Sequence, residues 1–153
     1  MQLSEYQKQI LSDPKTLREK LEIYLQTPEK VEIYASACEK FLDPQANEFT
    51  FKATWSWWAF FATLFFFLYR KAYTAMLCTL LVCVFIPVAG LLPTLIIAYS
   101  CAVSAKFIVC SRFVKILDMQ SDEELAKRGG KHETVILLFA ILLLLYFVWA
   151  FGS

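Results

Sequence analysis

AYTAMLCTLLVCVFIPVAGLLPTLIIAYSCAVSA, residues 72 to 105, carries no charge anywhere along its length. One bilayer crossing takes about 20 apolar helical residues, so this run is too long for one span and about right for two short ones. Pro87, Gly90 and Pro93 interrupt it near the middle and supply a turn. The spacing predicts a transmembrane helical hairpin, with legs over 72–89 and 91–110. A second uncharged run, Thr134 to Phe151, predicts a further transmembrane helix of about 27 Å.

Composition agrees. The chain is 58% hydrophobic and 16% aromatic, with 14 Phe, which is far too apolar for water at this length. Its net charge is only +1, but the charges are segregated. Residues 1–52 hold seven Lys/Arg against nine Asp/Glu, and almost everything beyond is apolar with short basic punctuation. The near-neutral balance argues against nucleic acid, which would want a basic stripe. No cleavable signal is expected, because the first fifty residues lack an apolar h-region. Two units follow, a cytoplasmic amphipathic helical head over 1–48 and a membrane domain over 49–153.

In the head, Asp13-Pro14 and Thr27-Pro28 each place a capping residue before a proline, a strong helix start. Helices are expected from about Pro14 to Gln26 and from about Pro28 to Leu42, with a weaker turn or two over Ser4 to Leu11. Leu17, Leu21 and Tyr24 share one face, and Val31, Tyr34, Cys38, Phe41 and Leu42 another. EKLEIY (19–24) and EKVEIY (29–34) echo each other at an offset that fits no common solenoid period. Such faces are buried against each other, a partner or the membrane surface; Tyr24, Tyr34 and Phe41 are the candidate partner contacts.

Trp55 to Tyr69 is dense in aromatic residues and reaches about 22 Å as a helix, short of a hydrocarbon core of about 30 Å. It is expected to lie at the interface or to re-enter. A true span would put Arg70 and Lys71 on the outer side, against the positive-inside tendency. Trp55, Trp57, Trp58, Tyr69, Arg70, Lys71 and Trp149 are the candidate membrane-interface residues. Ser121 and Glu124 form a capping box for a cytoplasmic helix over 121–128, which Gly129-Gly130 stops.

No chemistry of catalysis or metal binding emerges. The five cysteines lack a Cys-x-x-Cys pair and read as buried packing residues. His132 is the only histidine, which removes most zinc and haem options. No catalytic, cofactor or metal residues are assigned. Lys106 is expected to snorkel to the interface, and is the one pore candidate if the protein self-associates.

Trp58-Ala59-Phe60-Phe61, then Tyr69-Arg70-Lys71-Ala72-Tyr73, and finally Leu125-Ala126-Lys127-Arg128-Gly129-Gly130 resemble a family of small bacterial inner-membrane proteins catalogued as Domain of Unknown Function 2628. The likeness covers roughly residues 49 to 135, by motif order. It implies a membrane-embedded helical module of bacterial origin with no assigned activity. Family members often carry Gly-Pro after the paired phenylalanines. This chain has Ala62-Thr63, which removes the residues that would break the aromatic helix.

The whole reads as an all-α, multi-pass protein of the bacterial inner membrane. Its N-terminus is expected in the cytoplasm, and the bilayer and either a protein partner or a second copy are its expected partners. The role expected is a non-enzymatic adaptor or accessory subunit; the alternative is a small homo-oligomeric channel or transporter.

Overall fold

The structure is a computed structural model. It describes residues 1–43, 46–85 and 90–151, the side chains at 143, 146, 147 and 149–151 excepted. The fold is mostly helical.

The head begins with a complete helix, α1 (Glu5–Ser12), where a turn or two was expected. Its cause is a capping box: Gln7 N donates to Ser4 Oγ (3.3 Å) and Ser4 N to Gln7 Oε1 (2.8 Å). Asp13 then caps α2 (Pro14–Leu25), its carboxylate accepting from Lys15 N and Thr16 N. The Thr27-Pro28 start behaves differently. Thr27 makes no cap, Pro28–Lys30 form a single 3-10 turn, and α3 runs Val31–Phe41. The Thr27 hydroxyl is engaged elsewhere, donating to Leu25 O (3.2 Å) and accepting from Arg70 (3.3 Å). A tertiary contact has taken the capping group. A short antiparallel pair follows, β1 (Leu42–Asp43) on β2 (Glu48–Phe49), a small departure from the all-α expectation.

The body holds α4 (Trp57–Tyr69), α5 (Tyr73–Phe85), α6 (Leu91–Leu117), α7 (Asp122–Arg128) and α8 (Glu133–Phe151). Contrary to expectation, α4 is broken at Thr63 (φ 36°, ψ −100°), although no Gly-Pro is present. Positive φ is costly for a β-branched residue. The break lets Ala59 and Ala62 before it and Phe66 and Phe67 after it all be buried. Unbroken, α4 would hold its ends about 18 Å apart; in the structure both ends line one cavity.

α5 and α6 run antiparallel, Thr79 Oγ1 lying 3.9 Å from Cys101 Sγ and Tyr73 beneath the Arg112 guanidinium. They do not close into a tight hairpin. A groove of about 400 Å³ separates them, lined by Cys78, Thr79, Ser100, Cys101 and Ser104. α4 packs against α5, α6 and α8. The small residues Ala98, Ala102 and Ala105, buried along one side of α6, permit that approach. Pro87 of the expected turn lies outside the described residues. Among the described residues, one helix, α6, is long and apolar enough to cross a membrane.

The division at residue 48 meets a continuous core. Leu17, Leu21, Tyr24, Leu25, Cys38 and Phe41 of the head are buried with Cys110, Phe113, Val114 and Leu117 of α6 and Leu125 of α7. Each such large side chain contributes about 1.5–3 kcal/mol. Polar ties cross the same boundary. Gln7 Nε2 donates to Val114 O (2.8 Å), Gln26 Nε2 to Ala126 O (2.8 Å) and Gly130 N to Tyr24 O (2.6 Å). Lys20 pairs with Asp122 at 2.6 Å.

The closest approach is at Gly129, where a Cβ would lie 2.2 Å from Tyr24 O and 2.7 Å from Leu125 O. Gly129→Ala is therefore expected to lower stability by about 1–3 kcal/mol. Denaturant unfolding of the detergent-solubilised chain would measure it, and an unchanged midpoint would contradict this packing.

Candidate functional site: a cationic, aromatic cavity between head and body

A polar-rimmed hollow lies where the returning α4 meets the head. Residues 54–56 are pinned along α6, Thr54 Oγ1 donating to Val103 O (3.4 Å) and Ser56 N to Ala102 O (3.1 Å). This fixes Trp55, whose ring sits among Trp57 (5.1 Å), Phe60 (5.6 Å) and Tyr99 (5.6 Å). Ser56 then caps α4, its hydroxyl accepting from Ala59 N. After the break at Thr63 the chain comes back to Arg70, the C-cap of α4.

Arg70 is 6% exposed. Its guanidinium carbon lies 5.3 Å from the centre of the Tyr34 ring and 5.2 Å from that of Tyr69. One terminal nitrogen donates to Leu25 O (3.4 Å) and Thr27 Oγ1 (3.3 Å). Among the described residues no carboxylate comes within ion-pair distance of Arg70 or Lys106. Both line a cavity of about 560 Å³, with Lys30 and Glu29 from the head and Trp55, Trp57 and Trp58 from the start of α4. Two N–H groups of this lining, Arg70 Nε and Trp55 Nε1, are buried without a hydrogen-bond partner. Buried donors are nearly always paired. Among the described residues no cluster of three His, Cys, Asp or Glu is placed to hold a metal.

The three expected partner-contact residues are buried in the structure. Tyr24, Tyr34 and Phe41 are 3%, 6% and 0% exposed, so in this conformation they offer nothing to a partner. The apolar period marked the right faces, but α6 covers them: Tyr24 packs on Phe113 (5.3 Å) and Phe41 on Phe107 (5.3 Å). Of the interface residues, Trp57 and Trp58 are exposed and Lys71 is half-buried, its Nζ 3.5 Å from Lys127 O. Arg70 is inside rather than at a surface. Tyr69 O accepts from His132 N at 2.9 Å. The Trp149 side chain lies outside the described residues. Lys106 lines the cavity with Arg70, away from the α5–α6 groove. Sequence reasoning missed the pairing of Trp55 with Arg70, fifteen positions apart, because only the break at Thr63 brings them together.

Comparison with protein-family models, with curated proteins and with solved structures returns no match. The family resemblance rests on its own residues.

Burial pushes the Tyr34 phenol up to about 12, against the pull of the neighbouring Arg70 cation, and raises Tyr24 as well. In the unfolded chain both ionise near 10. The neutral phenols' contribution is thus complete below pH 10 and, for Tyr34, lost as pH rises through about 12. Stability is expected to fall steeply between these limits, and Tyr34→Phe should remove part of that slope. Equal pH dependence in the variant would show that Tyr34 is not shielded.

Proposed function

We propose that this chain is a multi-pass integral membrane protein of accessory, non-enzymatic type, its head on the cytoplasmic side. The observation that carries the reading is the separation of surface by height. Exposed large apolar side chains crowd α5 (Leu77, Leu80, Leu81, Val84), the first half of α6 (Leu91, Leu92, Ile96) and α8 (Leu137, Ile141, Leu144, Val148). Water does not tolerate contiguous apolar surface on that scale, and lipid does. Basic residues collect at the opposite end: Lys71, Arg112 and Lys115 border one hollow, and backbone contacts link them to Lys127 and Arg128.

Under the positive-inside tendency that end faces the cytoplasm. α5, α6 and α8 are then the three crossings, and α4 enters and leaves from the cytoplasmic side. At 13 residues α5 extends only about 20 Å, which a locally thinned bilayer accommodates. The bacterial inner membrane is the setting the family resemblance implies.

An accessory role is supported by where the chemistry-bearing groups are engaged. His132 pairs with the Tyr73 hydroxyl (2.6 Å), Cys38, Cys101 and Cys110 are buried, and Cys78, which is exposed, lies in the α5–α6 groove. The solvent side of α3 is polar, and Ile33, its large apolar residue with 45% exposure, stands at the rim of the cavity. Contact with a partner protein would therefore run through Ile33 and the charged residues beside it, not through Tyr34.

A photo-crosslinking residue at Ile33 in living cells is expected to capture one heterologous membrane or membrane-associated protein. Capture of this chain alone would overturn the accessory reading in favour of a homo-oligomer. Release of the chain from membranes by alkaline carbonate would overturn the membrane reading itself.

A further inference from the structure

The cavity between head and body is built for an anion. Its lining brings three cations (Arg70, Lys106 and Lys30) against one carboxylate, Glu29. Both orphaned groups, Arg70 Nε and Trp55 Nε1, are enclosed by protein and add no counter-charge to Arg70. A guanidinium at 6% exposure with no carboxylate partner keeps much of its desolvation penalty, because ring faces and two long contacts to oxygen replace only part of its hydration. An oxyanion in the cavity supplies the negative charge that this wall lacks.

The body of the ligand can be read from the other walls. Trp57 and Trp58, exposed at 64% and 43%, carry the lining outward towards the apolar faces of the body. Tryptophan at such a rim favours the headgroup level of a bilayer. Trp58 packs edge-on against Phe139 of α8, the ring centres 6.1 Å apart. The tip of α4 borders a separate, apolar hollow with Cys83, Thr94 and Leu95. The cavity therefore lies at the charged end of the helices and opens beside their apolar surface.

We propose that this cavity binds a phosphate group at the membrane surface, its charge met by Arg70, Lys106 and Lys30. Occupancy joins head to body, since Lys30 and Thr27 come from the head and Trp55 and Lys106 from the body. The site stands whether or not the head also contacts a partner protein. Phosphate could be presented by a phospholipid headgroup or arrive free in solution, and the same residues would receive either.

The test is calorimetric titration of the full detergent-solubilised chain with three probes: short-chain phosphatidylglycerol, inorganic phosphate, and a short-chain diacylglycerol that lacks the phosphate. The wild-type chain is compared with Lys106→Gln and with Lys30→Gln, which removes the cation that the head contributes. Loss of one charge-assisted contact is expected to weaken binding about tenfold in Lys106→Gln, with a smaller loss for the more exposed Lys30→Gln. Arg70→Gln should abolish binding; because this residue also ties the fold together, the other two variants carry the decision. Tighter binding of phosphatidylglycerol than of inorganic phosphate supports a headgroup. Equal, Lys106-dependent binding of both supports a free oxyanion in the same site. Failure of both phosphate probes to bind, binding of diacylglycerol as tight as that of phosphatidylglycerol, or unchanged affinity in both variants would overturn the proposal.

Discussion

A guanidinium withdrawn from water must be given contacts from several directions at once, and Arg70 draws them from both parts of this chain. Leu25 O, Thr27 Oγ1 and the Tyr34 ring belong to the head; Tyr69 belongs to α4. Among the described residues no ion pair holds it. α2's last turn, the displaced start of α3 and the return of α4 all meet at that one cation. Thr27 shows the consequence most plainly. It carries the sequence pattern of a helix cap, yet its hydroxyl serves Arg70 and Leu25 instead, and α3 begins only after a 3-10 turn.

The second constraint is the break at Thr63. Two half-helices, each too short to cross a bilayer, can lie against the small-residue side of α6 only if the chain reverses. Irregular backbone within an apolar region persists where it is enclosed by protein. Thr63 meets this condition in part, its hydroxyl donating to Phe60 O (3.2 Å) and Phe60 to Phe65 packing near Ala98 and Phe139. The reversal brings Trp55 and Arg70 to the same cavity and leaves the tryptophans at its rim.

Much of the secondary structure was legible in residues with direct physical meaning. Asp13-Pro14 and Ser121 fixed helix starts by their side-chain oxygens, and Gly129 ended α7 where a larger residue would strike Tyr24 O. Apolar period correctly chose the inward faces of α2 and α3. It could not say what would cover them, since a face of Leu17, Tyr24 and Phe41 reads alike whether α6 or another protein lies against it. For the same reason Arg70 looked like an interface residue: proximity to Lys71 is visible in sequence, burial against Tyr34 thirty-six positions earlier is not. The Ser4–Gln7 capping box was readable and undervalued, and α1 is a full helix because of it. The break at Thr63 had no local signal, because packing on both sides, not residue preference, imposes it.

The account turns on head and body sharing one core. Its most direct test is to insert a protease site in the exposed segment Phe51 to Ala53, cleave the folded protein in detergent, and ask by size-exclusion chromatography whether the two pieces stay together. Co-elution of the nicked head with the body is the predicted result. Separation of the head as a free fragment under non-denaturing conditions would contradict the shared core, and with it the cavity that the two parts enclose.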